Sequence, residues 1–414
     1  MLNMTHEYKL EPTAQQEAEM TQWLEICRGV YNYALAERRD WIKSRKCDIN
    51  SCSLKQEYIM PVDAPRVTYA SQCKSLTQAK KSLPELKLVH SQVLQQVLQQ
   101  LEKAFVSMWE QDHGFPRFKK VGKMRSFLFP QFAESPIEGE GLNLPKLGWI
   151  KMRLHRPIPD GFAVKQVRVV RRASGWYAML ALQCDVSLFP DVSPHGHPIG
   201  IDVGLDAFVA TSDGELIDRP RFFVDAQHKL KLLNREVSRK QKGSKNQQKA
   251  RLKVARFYER IANSRKDFHF KLAHHLCDDA GMIFAEELNL KAMAKGMLSK
   301  HCLDAAWGQF LVILGWVAWK RGVYFAKVNG KGTSQYCPAC DAHVPKDLSV
   351  RVHECPECGY RTNRDVASSQ LVLKRGLAAV GQIVKKSVEE AGDTKAPVKQ
   401  KTQSVKKGSP RRHR

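Results

Sequence analysis

Cys355-Pro-Glu-Cys358-Gly-Tyr-Arg-Thr-Asn-Arg-Asp365, preceded by Cys337-Pro-Ala-Cys340, is the stretch on which the reading of this chain turns. Two residues lie inside each cysteine pair and fourteen between the pairs, the spacing of a four-thiolate zinc site. His343 and His353 stand close enough in sequence to substitute, but four cysteines are the simpler ligand set. Such a set leaves no open coordination position, so the zinc is expected to be structural. A single redox pair would not need the second. Seven residues beyond Cys358 stands Asp365, an acid that a free-standing zinc finger would not require.

Asp365 lies in Arg361-Thr-Asn-Arg-Asp-Val-Ala-Ser-Ser369, which leads into a helix through Leu371, Val372 and Leu373. Thr362 or Asn363 is the expected N-cap, placing Asp365 in the first turn. Alone it would merely complement the helix dipole. Two further acids stand upstream. In Ile199-Gly-Ile-Asp-Val-Gly204 the apolar Ile199, Ile201 and Val203 alternate with Gly200, Asp202 and Gly204. The glycines leave room for a metal-bound phosphate beside Asp202. In Met282-Ile-Phe-Ala-Glu-Glu-Leu-Asn289 a strand ends on two carboxylates, where open α/β sheets bind ligands. Glu286 and Glu287 cannot share a face, and Glu286 is assigned because it comes first after the apolar run. Asp202, Glu286 and Asp365 together form a hard oxygen site suited to two Mg²⁺ ions and to in-line phosphodiester hydrolysis. No Ser, Cys or His nucleophile is needed, and the adjacent His274 and His275 read as structural.

Around these motifs the chain changes texture. Residues 1–10 read as a strand ended by Pro12, and 13–120 as mostly helical, with Leu94, Leu98, Leu101 and Phe105 marking one amphipathic helix. From Phe127 to Phe189 short β-rich runs suggest a small antiparallel barrel or sheet, with Arg168, Arg171 and Arg172 on an edge or loop. Asp191–Pro198 reads as a linker. From Ile199 strands and helices alternate, the pattern of an α/β sheet. At 414 residues there is room for two or three cores. The net charge of +25 points to a polyanionic partner. Between Lys229 and Lys271 fifteen Lys/Arg stand against three acids, an excess that favours phosphate contacts over a merely solvated face. Residues 391–414, with eight Lys/Arg and one acid, are expected to be disordered. The seven other cysteines (Cys27, Cys47, Cys52, Cys73, Cys184, Cys277, Cys302) are odd in number and scattered, as reduced thiols would be. The N-terminus has no apolar signal core, and Phe310–Trp319 is too short to span a bilayer, so no membrane partner is expected.

With these residues in view, the chain resembles the TnpB proteins of bacterial insertion sequences, relatives of type V CRISPR effectors. The most specific segments are Gly200-Ile-Asp-Val-Gly204, Ala285-Glu-Glu-Leu-Asn289, Thr333-Ser-Gln-Tyr-Cys-Pro-Ala-Cys340, Cys355-Pro-Glu-Cys-Gly359 and Asn363-Arg-Asp-Val366; Tyr8-Lys-Leu-Glu-Pro12 and Gly114-Phe-Pro-Arg-Phe-Lys119 match more loosely. The resemblance implies a multidomain α+β protein: a RuvC-like, RNase H-fold nuclease with an inserted zinc ribbon, a wedge β-barrel and a helical recognition lobe. The implied division is a wedge at 1–12 and 121–195, a recognition lobe at 13–120, a nuclease domain at 196–332 and 361–380, a ribbon at 333–360, and a disordered basic tail at 381–414. It places the catalytic Mg²⁺ on Asp202, Glu286 and Asp365, and the structural Zn²⁺ on Cys337, Cys340, Cys355 and Cys358. The implied activity is cleavage of DNA beside a short adjacent motif, directed by a guide RNA, with double-stranded and single-stranded DNA as partners in a bacterial cytoplasm, at the nucleoid. The family's last acidic motif is often Asp-Arg-Asp-x-Asn-Ala-Ala. Here Asn363 replaces the first Asp and Ala367 stands where Asn is usual, which bears on efficiency. A regulator that binds without cutting and an accessory transposition protein are the competing expectations; the three intact acids disfavour the first.

Overall fold

The computed structural model describes residues 2–45, 63–184, 192–293, 295–347 and 349–392. The chain divides into two compact units, Met1–Pro190 and Asp191–Arg414.

In the first unit, strand β1 (Leu2–Glu11) leads into a single 31-residue helix, α1 (Ala14–Ser44). Its start is a capping box: the Thr13 hydroxyl accepts from the Gln16 amide, and the Gln16 side chain accepts from the Thr13 amide. Helices α2 (Tyr69–Ser82), α3 (Glu85–Leu88) and α4 (Ser91–Glu110) follow. The four apolar positions expected on α4 are all buried, joined by Val93 and Val97. Six more strands come next: β2 (Ser126–Phe129), β3 (Ile137–Glu138), β4 (Gly141–Leu144), β5 (Gly148–Arg153), β6 (Ala163–Arg172) and β7 (Gly175–Cys184). They join β1 in an antiparallel sheet ordered β2-β6-β7-β1-β5-β4-β3. The sheet curls as a half-barrel, open between β2 and β3 in the pairings of the described residues. Helices and sheet share one core, in which Tyr8, Trp23, Leu98, Phe129 and Leu180 are buried together.

One expectation is corrected here. Arg168 lies inside the sheet, because β6 runs between β2 and β7, and the Arg171 amide donates to the Arg125 carbonyl; Arg172, at the end of β6 beyond the β2 pairing, is paired on the β7 side. A run of alternating residues does not say how many neighbours a strand will have. Arg171 and Arg172 instead stack over Trp176 and Tyr177 of the next strand.

The second unit is built on a mixed sheet ordered β10-β9-β8-β11-β12. Its strands are β8 (Pro198–Asp202), β9 (Ala207–Thr211), β10 (Leu216–Asp218), β11 (Met282–Glu286) and β12 (Tyr324–Val328). Strands β8, β11 and β12 run parallel, and β9 and β10 form an antiparallel extension. Between β10 and β11 runs a hairpin of α5 (Phe222–Ser238) and α6 (Lys245–Asp279); α7 (Leu290–Met293), α8 (Ser299–Ala305) and α9 (Trp307–Lys320) connect β11 to β12. Ser299–Lys320 is long and apolar enough to cross a membrane by length and composition, yet Phe310, Leu314 and Val317 lie in the core beside α6. Two short paired strands, β13 (Val352–Glu354) and β14 (Arg361–Asn363), precede the last helix, α10 (Arg364–Gly392).

Parity along the strands divides this sheet into two faces. Ile199 and Ile201 of β8, with Ile283 and Ala285 of β11, enter the core that α6 and α9 cover. Phe284 packs on the opposite face with Val328, Val372 and Val380, under α10. A Cβ at Gly200 would strike the Ser369 carbonyl and Leu373 of α10, so glycine is what allows helix and strand to meet backbone to backbone.

Helix α10 continues to Gly392, past residue 380 where disorder was expected to begin. In the sequence, apolar residues recur at helical spacing from Leu377 and Val380 through Ile383, Val384 and Val388, among the charged ones. The basic stretch 393–414 lies outside the described residues, as do Cys47 and Cys52. No described cysteine is joined in a disulfide.

Candidate active site and thiolate cluster

The parity that buries Ile199 and Ile201 on one face puts Gly200 and Asp202 on the other, beneath α10. In β11 the same alternation sends Glu286 to the Phe284 side and leaves Glu287 exposed. Ala285 lies opposite Ile201, so Asp202 and Glu286 end neighbouring parallel strands. Asp365 comes from the first turn of α10, which crosses this face. Its start is fixed by Asn363, whose side-chain oxygen accepts from the Asp365 amide at 2.8 Å. Asn363 is therefore engaged as a cap.

Asp202 feels the other two acids. Burial, and then the charges of Glu286 and Asp365, push the Asp202 carboxyl up from its ordinary 3.8 to about 7. Hydrogen bonds from the Ser368 hydroxyl and the Val203 amide pull the other way. Burial also raises Glu286, against the charge of Arg375. It raises Asp365, against Arg351 and Arg364 and with the help of Asp206. Among the described residues the acids do not close to within 4.8 Å of one another as a ligand set, and only the cysteines do. A buried carboxyl raised by two neighbouring carboxylates belongs to a set of oxygen donors of the kind that hard divalent cations take.

Several residues that support this site are not apparent in the sequence. Gly330 lies against Glu286 so closely that any Cβ would occupy the carboxylate's position. Arg375 donates to the Asn329 carbonyl at 2.6 Å and to the Lys331 carbonyl at 3.1 Å, tying the loop around Gly330 to α10. Arg364 donates to the Asp347 and Val350 carbonyls at 2.7 and 3.2 Å, and its amide to the Arg351 carbonyl. This holds Arg351, whose guanidinium stands 3.6 Å from the Asp206 carboxylate. Only Ser368 carried a signal: three residues after Asp365, it shares that face of the helix.

The four cysteines meet. Sγ of Cys337 lies 3.7 Å from that of Cys358, and Sγ of Cys340 lies 3.6 Å from that of Cys355. Sulfurs about 2.3 Å from a tetrahedral zinc stand about 3.8 Å apart, so this cluster has the dimensions of a closed thiolate site. The amide of Cys358, opposed by burial and aided by the Glu357 amide, draws the Cys355 thiol down to about 7. Neither His343 nor His353 joins the cluster; the ring of His353 lies against Lys346 and that of His343 against Tyr336.

Comparison with known proteins is consistent over most of the chain. A family described as a probable transposase of the IS605 OrfB type matches residues 181–297, a Cas12f1-like TNB domain matches 307–372, and a helix-turn-helix domain matches 1–47. That last description does not fit the backbone: over residues 2–45 the chain forms one strand and one unbroken helix. A putative RNA-guided DNA endonuclease, InsQ, of Escherichia coli K12 is 31% identical, over 91% of this chain and 94% of that protein. A putative RNA-guided DNA endonuclease of Streptomyces pristinaespiralis is 32% identical, over 98% and 97%. A cryo-EM structure of a Cas12f1-sgRNA-target DNA complex aligns with a TM-score of 0.51 at 13% identity, covering 86% of this chain and 82% of that one. At that identity the likeness concerns the fold alone: a RuvC-type nuclease fold with an inserted cysteine ribbon and a half-barrel sheet.

Proposed function

Because this chain belongs to the TnpB family, we propose that it is a metal-dependent, RNA-guided DNA endonuclease whose cutting residues are Asp202, Glu286 and Asp365. The observation that supports the reading is that these acids share one face of the sheet, near enough that burial and the other two raise the Asp202 carboxyl to about 7. The three carboxylates would hold two Mg²⁺ ions. When bound, such ions supply an activated hydroxide and stabilise the leaving oxygen of an in-line displacement.

The remaining chemistry belongs to the chain. Ser368 orients Asp202 by its hydrogen bond, and Asn363 fixes the turn that carries Asp365. Arg375 favours the ionised form of Glu286, and Arg351 and Arg364 favour that of Asp365. Arg351 also offers a cation to a phosphodiester approaching three negative groups. The thiolate cluster would hold a structural Zn²⁺, folding the ribbon that presents Arg351. Base pairing with a guide RNA would choose the DNA sequence, while the basic α5–α6 hairpin holds backbone and the protein reads only a short adjacent motif.

The test begins with the RNA that copurifies with the expressed protein. Its sequence should match DNA beside the gene, and the complex should cut duplex DNA complementary to its variable segment. Sequence-specific binding to transposon ends by RNA-free protein, with no cleavage of the complementary target, would contradict the proposal and favour a transposase.

A further inference from the structure

A second feature of the nuclease unit lies at the root of the α5–α6 hairpin. The amides of Phe223 and Val224, at the start of α5, donate to the buried carboxylate of Asp304 at 2.9 and 3.3 Å. Arg265 of α6 donates to the same carboxylate at 3.1 Å, so Asp304 of α8 ties the start of α5 to α6. The ring of Tyr258, on α6, lies over that of Phe223 within 20° of parallel, with 6.4 Å between centroids. Tyr258 nevertheless remains 45% exposed. Beside the rings opens a cleft of about 320 Å³, walled further by Gln227, His228, Leu230 and Lys231.

That volume lies at the small end for ligand pockets, suited to a single planar ring system. The aromatic floor is rigid, because the Asp304 cap and the Arg265 pair fix the backbone beneath it. Gln227, His228 and Lys231 add an amide, an imidazole and a cation to its wall. The fifteen Lys/Arg against three acids between residues 229 and 271 select a polyanion over an apolar protein segment as the occupant. Bases within a duplex have their faces covered by their neighbours, whereas those of a single strand are free to stack on an aromatic ring.

We propose that the cleft is a stacking platform for one unpaired nucleobase of single-stranded nucleic acid. The base lies on Tyr258, Gln227 and His228 meet its edge, and Lys231 meets its phosphate. The proposal rests on the reading of this chain as acting on nucleic acid, but it concerns binding and can be tested apart from cleavage.

The test measures affinity of the full-length protein for four labelled probes of one length: an oligodeoxythymidine, an oligouridine, an abasic deoxyribose strand and a DNA duplex. Stacking contributes about 1–3 kcal/mol per base, so Tyr258→Ala should weaken a base-bearing strand about 5- to 150-fold. The abasic strand, the duplex and the salt slope should be unchanged, and Tyr258→Phe should bind as wild type. Loss on the uridine strand alone assigns the platform to RNA, and loss on the thymidine strand alone assigns it to DNA; either supports it. An equal loss on the abasic strand, or no loss on either base-bearing strand, overturns it. If cleavage is absent while this pattern holds, the nuclease reading falls and the platform stands.

Discussion

Asp202 concentrates the chemistry of the site into one measurable property. A carboxyl raised from 3.8 to about 7 stays protonated in the folded chain at pH values where the unfolded chain has lost the proton. Its contribution to stability is therefore complete below about 3.8 and is lost as pH rises through about 7. At neutral pH and above, the loss in Mg²⁺-free protein approaches roughly 4 kcal/mol as an upper bound. Asp202→Asn should accordingly raise the thermal midpoint of Mg²⁺-free protein at pH 8 while abolishing cleavage. A lower midpoint for that variant would show that the carboxylate is not repelled as described. Since Mg²⁺ competes with that proton, wild-type Mg²⁺ affinity should climb as pH rises from 5.5 to 7.5 and then level, as titration calorimetry would report. Arg351→Ala should lower the cleavage rate about tenfold or more and move its acid limb to higher pH, because Asp365 loses the cation that favours its ionised form. An unchanged pH profile would leave Arg351 with no part in the electrostatics. Gly330→Ala should be more damaging than its size implies, since the methyl group takes the place of the Glu286 carboxylate; full activity in that variant would place Glu286 elsewhere.

At the scale of elements, the ribbon and α10 deliver Asp365 and Arg351 to the sheet. Cys337→Ser should release zinc and lower cleavage while leaving most of the far-UV helical signal, because the ribbon's small core around Cys337, Val344 and Cys355 is separate from the cores under α9 and α10. Metal analysis with circular dichroism checks both parts, and retained zinc with normal cutting would contradict them. Much of this was legible. Period-two alternation located β8 and showed which face Asp202 takes, an apolar run ending on two acids located β11, and the cysteine spacing located the cluster. A cap at Thr362 or Asn363 was readable because caps are local, and the structure assigns it to Asn363. Less was legible where distant segments meet. Nothing near Gly330 announces that Glu286 packs on it 44 positions away. Nor does Arg351, one arginine of many, show that it will face Asp206. The interior position of β6 was missed for the same reason, since a strand's neighbours are set by the whole sheet.

At the scale of the molecule, the charge and the family resemblance carried the functional expectation, while the acids gave it a mechanism. A net charge of +25 implies binding that weakens steeply with salt, but charge alone serves a passive binder as well as a nuclease. What distinguishes them is whether the three acids cut. The most direct measurement takes the copurified protein–RNA complex and a DNA duplex matching the RNA, and compares wild type with Asp202→Ala with and without Mg²⁺. Wild type should cleave only when Mg²⁺ is present, and Asp202→Ala should bind the same duplex and leave it whole. Equal products from the two proteins would contradict the assignment of the cutting site.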